Sequence, residues 1–214
     1  LVVIKDLLDP AEMPLDKTLK RMHIIVKNMY EDAMSAFKNS SKKIAEDVIS
    51  RDNDVDRLHW LVARQTNIIL RNISLAEKMG VTPREASTCF LISRITERIG
   101  DHAVRIAENS FPLFENKLNE EIVNSICSAG NVILDIFNKS IGAFFRGNVK
   151  VANENIEKVK KFEGKLKEIN TLILKQKGVT AVSLGHILES IRRVGEYGED
   201  ISESVINQFV EKEK

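Results

Sequence analysis

The placement of proline most constrains what this 214-residue chain can fold into. Pro10, Pro14 and Pro83 stand where a helical pattern begins, and Pro112 stands where one ends. Proline fits the first turn of a helix but breaks its interior, so the segments between these positions are free to form long helices. Apolar residues recur through those segments at spacings of three and four, which is the period of a helix with one buried face. The sequence therefore predicts an all-α fold.

The boundaries of the helices follow from the residues that start and stop them. Thr82, Pro83 and Glu85 combine an N-cap, a first-position proline and the reciprocal glutamate of a capping box. Glycine, asparagine and serine supply the breaks elsewhere. We predict six long antiparallel helices, over about residues 15–38, 42–79, 83–110, 118–145, 148–175 and 181–211.

The second half of the chain repeats the first. The run E-R-I-G-D-H-A-V-R-I-A-E from Glu97 has its counterpart in R-R-V-G-E-Y-G-E-D-I-S-E from Arg192. We therefore predict a tandem repeat of two three-helix bundles. In this prediction residues 1–14 are a lead-in, residues 15–113 the first repeat and residues 114–214 the second.

Charge and composition exclude several classes of protein. The 32 basic and 31 acidic residues leave no net field that would attract nucleic acid or an anionic membrane. The two cysteines lack the number and spacing of a disulfide framework or a zinc site, and the apolar runs are too short to span a membrane. Phosphate-binding loops, nucleophile elbows and catalytic triads are not recognisable. We therefore expect a soluble intracellular protein, and no motif in the sequence supports catalysis. We also expect residues to precede Leu1, because the first residue is not methionine.

Two acidic pairs stand out on the second and third predicted helices. Glu97 and Asp101 lie one turn apart, and so do Asp52 and Asp56. Like charges at that spacing cost an isolated helix roughly 0.2 to 0.5 kcal/mol, so a neighbouring cation is expected. Because the two helices are predicted to be antiparallel neighbours, the pairs could face each other. We call these four residues the first acidic ridge.

The identity of the cation is open at this point. Clustered carboxylates without thiolates suit iron, manganese, magnesium or calcium, or zinc with help from a histidine. Arginine is the alternative, and four arginines are within reach of the ridge: Arg51, Arg57, Arg98 and Arg105. A metal-dependent oxidase or hydrolase is disfavoured, because a di-iron bundle needs two Glu-x-x-His elements and only the weak substitute D-R-L-H, ending at His59, is present. We expect His102, on the apolar stripe, to be a core histidine.

The ridge sequences resemble a known family. R-I-T-E-R-I-G-D-H-A-V-R-I-A-E, at residues 94–108, and R-D-N-D-V-D-R-L-H-W, at residues 51–60, are similar to the signature of the PhoU family of phosphate-uptake regulators. The resemblance covers the chain from about Leu15 onward. It implies a cytoplasmic, non-enzymatic, homodimeric regulator of phosphate homeostasis that contacts the phosphate ABC transporter with its ATPase and, in many bacteria, a sensor kinase. It also implies iron or zinc, in a multinuclear cluster, held by Asp52, Asp56, Glu97 and Asp101.

The second repeat departs from that pattern. Its candidate metal-binding carboxylates are Glu163, Glu196 and Asp200, but Lys167 and Arg192 stand where the first repeat has Asp56 and Glu97. A lysine and an arginine repel a metal ion and neutralise carboxylates directly. We therefore expect salt bridges between helices here in preference to a second cluster.

A possible partner or dimer surface lies beside the first ridge. Phe90, Val104 and Phe111 fall away from the apolar stripe, so they form either a partner surface or a second packing face within the bundle. The opening L-L-D-P-A-E-M-P-L-D-K-T-L-K-R-M resembles archaeal members of the family, in which an AbrB-like DNA-binding domain often precedes the helices. The alternative function is thus the effector and dimerisation module of a transcription regulator. We expect this fragment itself neither to bind nucleic acid nor to insert into a membrane.

Overall fold

The computed structural model describes residues 14–116 and 118–210, apart from the side chains at positions 73 and 75. All regular structure in these residues is helical, as predicted. The predicted lead-in lies outside them, except for its last residue. The α-helices are α1 (Leu15–Asn39), α2 (Lys42–Arg71), α3 (Ile73–Met79), α4 (Pro83–Ser110), α5 (Glu120–Arg146), α6 (Val149–Ile173) and α7 (Gly178–Phe209), with a 3-10 turn at Phe111–Leu113.

The helix termini are formed by local hydrogen bonds and by residues that tolerate a left-handed backbone. The capping box predicted for α4 is present: the Glu85 amide donates to Thr82 Oγ1 at 3.1 Å, and the Thr82 amide donates to Glu85 Oε2 at 3.0 Å. Gly147 ends α5 with a φ of 63°, a conformation that glycine adopts without a Cβ penalty. For five of the six predicted helices, the predicted first and last residues are within three positions of those observed.

The prediction of one continuous helix over residues 42–79 is wrong in one respect. It is interrupted at Asn72, whose backbone is extended with φ −138° and ψ 95°. The Asn72 amide donates to the carbonyl of Ile68 at 3.0 Å, and its own carbonyl accepts from the amide of Ala76 at 3.0 Å. Asn72 therefore closes α2 and opens α3, a position for which asparagine is better suited than for a helix interior.

The long helices pack as two sets of three. Helices α1, α2 and α4 contact one another, as do α5, α6 and α7, and the sets meet where α4 packs on α7 and α1 on α5. One continuous apolar core runs through both sets. The exact limits of the two repeats stay a prediction. In the described part of the chain, no helix is both long and apolar enough to cross a membrane.

Helices α4 and α7 form the antiparallel pair at the junction of the two sets. Near one end of the pair, Thr88 Oγ1 donates to Gln208 Oε1 at 2.8 Å. Further along, the rings of His102 and Tyr197 lie with their centroids 5.8 Å apart. Each helix therefore presents a second face toward its neighbour, besides the face that it buries within its own set.

Candidate functional site

The first acidic ridge is positioned by a regular pairing of α2 with α4. Successive contacts are spaced by seven residues on each helix, or about two turns, and run in opposite directions. The contacts are Thr66 Oγ1 donating to the carbonyl of Ala86 at 3.2 Å, His59 Nδ1 with Ser93 Oγ at 3.0 Å, and Asp52 Oδ1 at 3.9 Å from the place that a Cβ would take on Gly100. The helices are therefore antiparallel, and Asp52 faces α4 where that helix has no side chain.

This pairing brings the four predicted carboxylates into one region. Asp56, Glu97 and Asp101 line a groove of about 700 Å³ between α2 and α4. Asp52 lies one turn before Asp56, against Gly100, and its charge acts on Glu97. All four side chains are half-buried. The ridge inferred from spacing is thus a continuous feature of the surface.

Burial and mutual repulsion perturb three of these carboxyl groups. Burial, followed by the charges of Asp56 and Asp101, raises the pKa of Asp52 from 3.8 to about 6. The pKa of Glu97 rises to about 6 for the same reasons, led by burial, with Arg98 opposing. Burial and Asp56 also raise the pKa of Asp101, against the influence of arginines. The ridge therefore holds more negative charge than its surroundings compensate.

The four arginines considered as neutralising partners do not pair with the ridge. Arg51 binds Asp32 at 2.5 Å and Asp47 at 2.9 Å, while Arg57 binds Asp54 at 3.6 Å. Within residues 14–116 and 118–210, neither Arg98 nor Arg105 makes an ion pair, and no ridge carboxylate has a cationic side chain within 4.0 Å.

One ridge oxygen lacks any partner. Asp52 Oδ1 is buried and forms no hydrogen bond with the described residues. A buried acceptor without a partner costs about 1 to 3 kcal/mol, and more when it is charged. This orphaned oxygen, together with the all-oxygen donor set, fits a hard or borderline cation. As positioned, however, the described side chains do not place three His, Cys, Asp or Glu donors around one point. Binding an ion would therefore require these carboxylates to rotate.

His59 also lines this groove, and only a weak sequence signal points to it. The Ser93 hydroxyl donates to the carbonyl of Phe90 at 2.7 Å, so its oxygen is left to accept from His59 Nδ1–H at 3.0 Å. The imidazole also stacks on the Phe90 ring, with centroids 5.7 Å apart. This arrangement leaves the lone pair of His59 on Nε2, the form in which histidine binds metals. The sequence signal for His59 is its position three residues after Asp56, as in a Glu-x-x-His metal-binding element.

Comparison with known proteins gives a consistent result for this fold. The family model described as "PhoU domain" matches residues 19–110, which contain the whole ridge. A protein of Clostridium acetobutylicum, "Phosphate-specific transport system accessory protein PhoU homolog", is 24% identical over 199 residues, 90% of this chain and 89% of its own length. The Caulobacter vibrioides protein of the same name is 35% identical over 97 residues, 44% of this chain and 38% of its own. The crystal structure of PhoU from Pseudomonas aeruginosa superposes with a TM-score of 0.82 at 18% identity, covering 92% of this chain and 96% of that one.

Residues 19–110 of this chain match the PhoU domain, and the chain shares its fold with PhoU. Both acidic pairs recognised in the sequence lie within the matched residues. The two halves of the chain differ in the arrangement of the carboxylates that could hold a metal ion.

The second repeat of this chain does not form a matching ridge. Glu196 is paired with both Arg192 and Arg193, and Arg192 also binds Glu189 at 2.6 Å. These ion pairs lie within α7, whereas we expected salt bridges between helices. The positive charge of Arg192 is thus compensated by carboxylates of its own helix.

The three candidate carboxylates of the second repeat lie in different places. Glu163 is exposed in the groove between α6 and α7, beside Lys167. Asp200 is exposed in a separate groove between α4 and α7. Glu196 is occupied by its arginines. The structure therefore does not gather Glu163, Glu196 and Asp200 around one position.

The predicted partner surface is partly exposed and partly packed. Phe90, Val104 and Phe111 are each half-buried and contact the apolar core. Phe90 also lines the ridge groove, and Phe111 packs against Phe114 with ring centroids 5.5 Å apart. Each side chain thus has one face toward the core and another toward solvent. The role of these residues in binding a partner or a second copy stays a prediction.

Proposed function

We propose that this chain is a PhoU-family protein that regulates phosphate uptake through protein contacts with the phosphate ABC transporter, its ATPase above all, and with a sensor kinase where one is present. The proposal is carried by one observation: the Clostridium relative, which is named for the phosphate-specific transport system, aligns over 90% of this chain and 89% of its own length. A relative of the same name in Zymomonas mobilis is 23% identical over 80% of this chain. The likeness thus extends well beyond the ridge sequences.

Phosphate uptake in cells tests this proposal. The chain would be expressed in a bacterium whose own PhoU homologue has been deleted, and uptake of radiolabelled phosphate would be measured at high external phosphate. We expect the chain to restrain uptake and to be captured with the transporter ATPase. Unrestrained uptake in cells that contain folded chain, with no capture of the ATPase, would contradict the proposal.

We also propose that the first acidic ridge is a metal site, with iron or zinc as the ions that it takes. Asp52, Asp56, Glu97 and Asp101 would supply oxygen donors, and His59 Nε2 would supply a nitrogen donor. A bound cation would supply the positive charge that offsets the repulsion between these groups. The support is the buried, unpartnered Asp52 Oδ1 and the lack of paired arginines among the described residues.

Elemental analysis by plasma mass spectrometry tests the metal site directly. The purified protein would be compared with a ridge variant carrying D52N, D56N, E97Q and D101N. A control variant, E46Q, D54N, E77Q and E154Q, removes the same charge from four exposed positions outside the ridge. We expect stoichiometric metal in the parent and control proteins and its loss from the ridge variant. Equal metal in all three, or none in the parent after reconstitution, would rule out the ridge as the site.

A further inference from the structure

A pocket between α4 and α7 has no role in the proposed function. It encloses about 340 Å³. Four residues of α4 that line the pocket are spaced by four, three and four positions, so they lie on one face of that helix, toward α7. The residues on this face are Arg98, His102, Arg105 and Asn109, and the α7 side includes His186, Glu189, Ser190, Arg193 and Tyr197. The pocket thus forms only where the two halves of the chain meet.

The charges that line this pocket favour an anion. Arg98 and Arg105 are exposed and make no ion pair within the described ranges. Arg193 is held by Glu196 and by Tyr197, whose hydroxyl accepts from Nη2 at 3.0 Å and whose ring centroid lies 4.9 Å from Cζ. One guanidinium is therefore fixed in position, while two others are available to a ligand.

Two carboxylates, Asp101 and Glu189, also line the pocket, and both interact with charged residues outside it. Glu189 is bound by Arg192 at 2.6 Å. Asp101 belongs to the acidic ridge, where Asp56 acts on it from the opposite helix. Arg193 is likewise paired with Glu196, so the unpaired charges of the pocket are those of Arg98 and Arg105 against that of Asp101. The balance in the pocket is positive.

A second, independent observation concerns His102. This side chain is only 6% exposed, and its Nδ1 is buried without a hydrogen-bond partner in the described part of the chain. Its ring is held against Tyr197 in the wall of the pocket. Buried side-chain nitrogens are nearly always hydrogen-bonded, so an unpartnered one in a cavity wall points to a missing partner, either a ligand atom or water.

We propose that the α4–α7 pocket binds a phosphate-type oxyanion, either inorganic phosphate or the phosphoryl group of a small phosphomonoester. Arginine matches the planar, multiple acceptors of such an anion, and each charge-assisted hydrogen bond is about twice as strong as a neutral one. Arg98 and Arg105 contact the anion, Arg193 forms part of the pocket wall, and His186 closes the rim. This inference goes beyond the proposed function, because it concerns a ligand of the isolated chain and can fail while regulation of uptake holds.

Equilibrium dialysis of the chelator-treated full chain tests the pocket, with radiolabelled inorganic phosphate and glycerol phosphate in separate arms at constant ionic strength. R105Q and H186Q change exposed side chains of the pocket, and R71Q removes an exposed arginine at the end of α2 as a matched control. We expect R105Q to weaken binding about tenfold, as the loss of one charge-assisted hydrogen bond predicts, and H186Q to weaken it less. R71Q should leave it unchanged.

Comparing the two compounds also shows whether the pocket prefers inorganic phosphate or a phosphomonoester, because the preferred ligand binds more tightly. The proposal is overturned if neither compound binds, or if R105Q and H186Q, both folded by circular dichroism, bind as tightly as the parent. D56N should retain binding within about twofold. Loss of binding in D56N would move the ligand to the acidic ridge and would also overturn the proposal.

Discussion

Replacing Asp52 with asparagine should stabilise the metal-free protein at neutral pH. The wild-type carboxylate has a buried oxygen without a partner, and it is repelled by Asp56, Asp101 and Glu108. Asparagine has nearly the same shape, and at neutral pH it removes only the charge. Most substitutions of a half-buried polar residue destabilise a protein, so an increase in stability is a specific consequence of an uncompensated ridge.

The size and the pH dependence of this effect follow from the perturbed pKa. A pKa of about 6 in the folded protein, against 3.8 ordinarily, corresponds to roughly 3 kcal/mol if taken at full weight. Asp52 is partly exposed, and solvent screening reduces this to about 1 kcal/mol, or about 2 to 4 °C in melting temperature. Because the folded pKa is raised, the destabilisation is absent below about pH 4 and complete above about pH 6. The gain in D52N should follow the same course.

The assay is thermal unfolding in the presence of a chelator at pH 7.5 and pH 4.5. D54N is the matched control, because Asp54 is an exposed carboxylate on the same helix that pairs with Arg57 at 3.6 Å. It should change stability by less than about 0.5 kcal/mol at either pH. In a separate series without chelator, added iron or zinc should raise the melting temperature of the wild type more than that of D52N. The reasoning is refuted if D52N is no more stable than the wild type at pH 7.5, or if its gain is as large at pH 4.5.

Three further changes test the packing and the surfaces. Gly100→Ala should raise the free energy of unfolding by about 0.5 to 1 kcal/mol, because the new methyl group lies 3.5 Å or more from its neighbours; Gly198→Ala, with a contact of 2.9 Å, should gain less or lose stability in the same urea titration. Ser140→Ala should cost about 1 to 3 kcal/mol by chemical denaturation, because its buried hydroxyl joins α5 to the Gly198 carbonyl at 2.8 Å; an unchanged midpoint would contradict this. Changing both Phe90 and Phe111 to serine should weaken self-association without unfolding the chain, and an unchanged mass in light scattering of the folded variant would reject a dimer through this surface.

Local chemistry was sufficient to predict most of the helices. The apolar period, the capping box at Thr82 and the glycine after α5 act within a few residues, so they can be recognised without knowing what the helices pack against. The spacing of four within each acidic pair is local for the same reason. The break at Asn72 was missed because the apolar pattern continues across it, and a single asparagine is a weak signal inside such a pattern.

The sequence by itself determined an all-α chain with two acidic pairs on neighbouring helices, since both follow from the 3.6-residue period of the helix. Only the tertiary structure decided that, within the described residues, the nearby arginines do not pair with those carboxylates. Arg51 and Arg57 were within reach in sequence, yet they pair with other carboxylates because of the faces that their helices present. The pocket between α4 and α7 could not be predicted, because Arg105 and Arg193 are separated by 88 positions and meet only through the packing of the two halves. Charge compensation depends on distances of a few ångströms between helices, and those distances are set by the packing of the whole core.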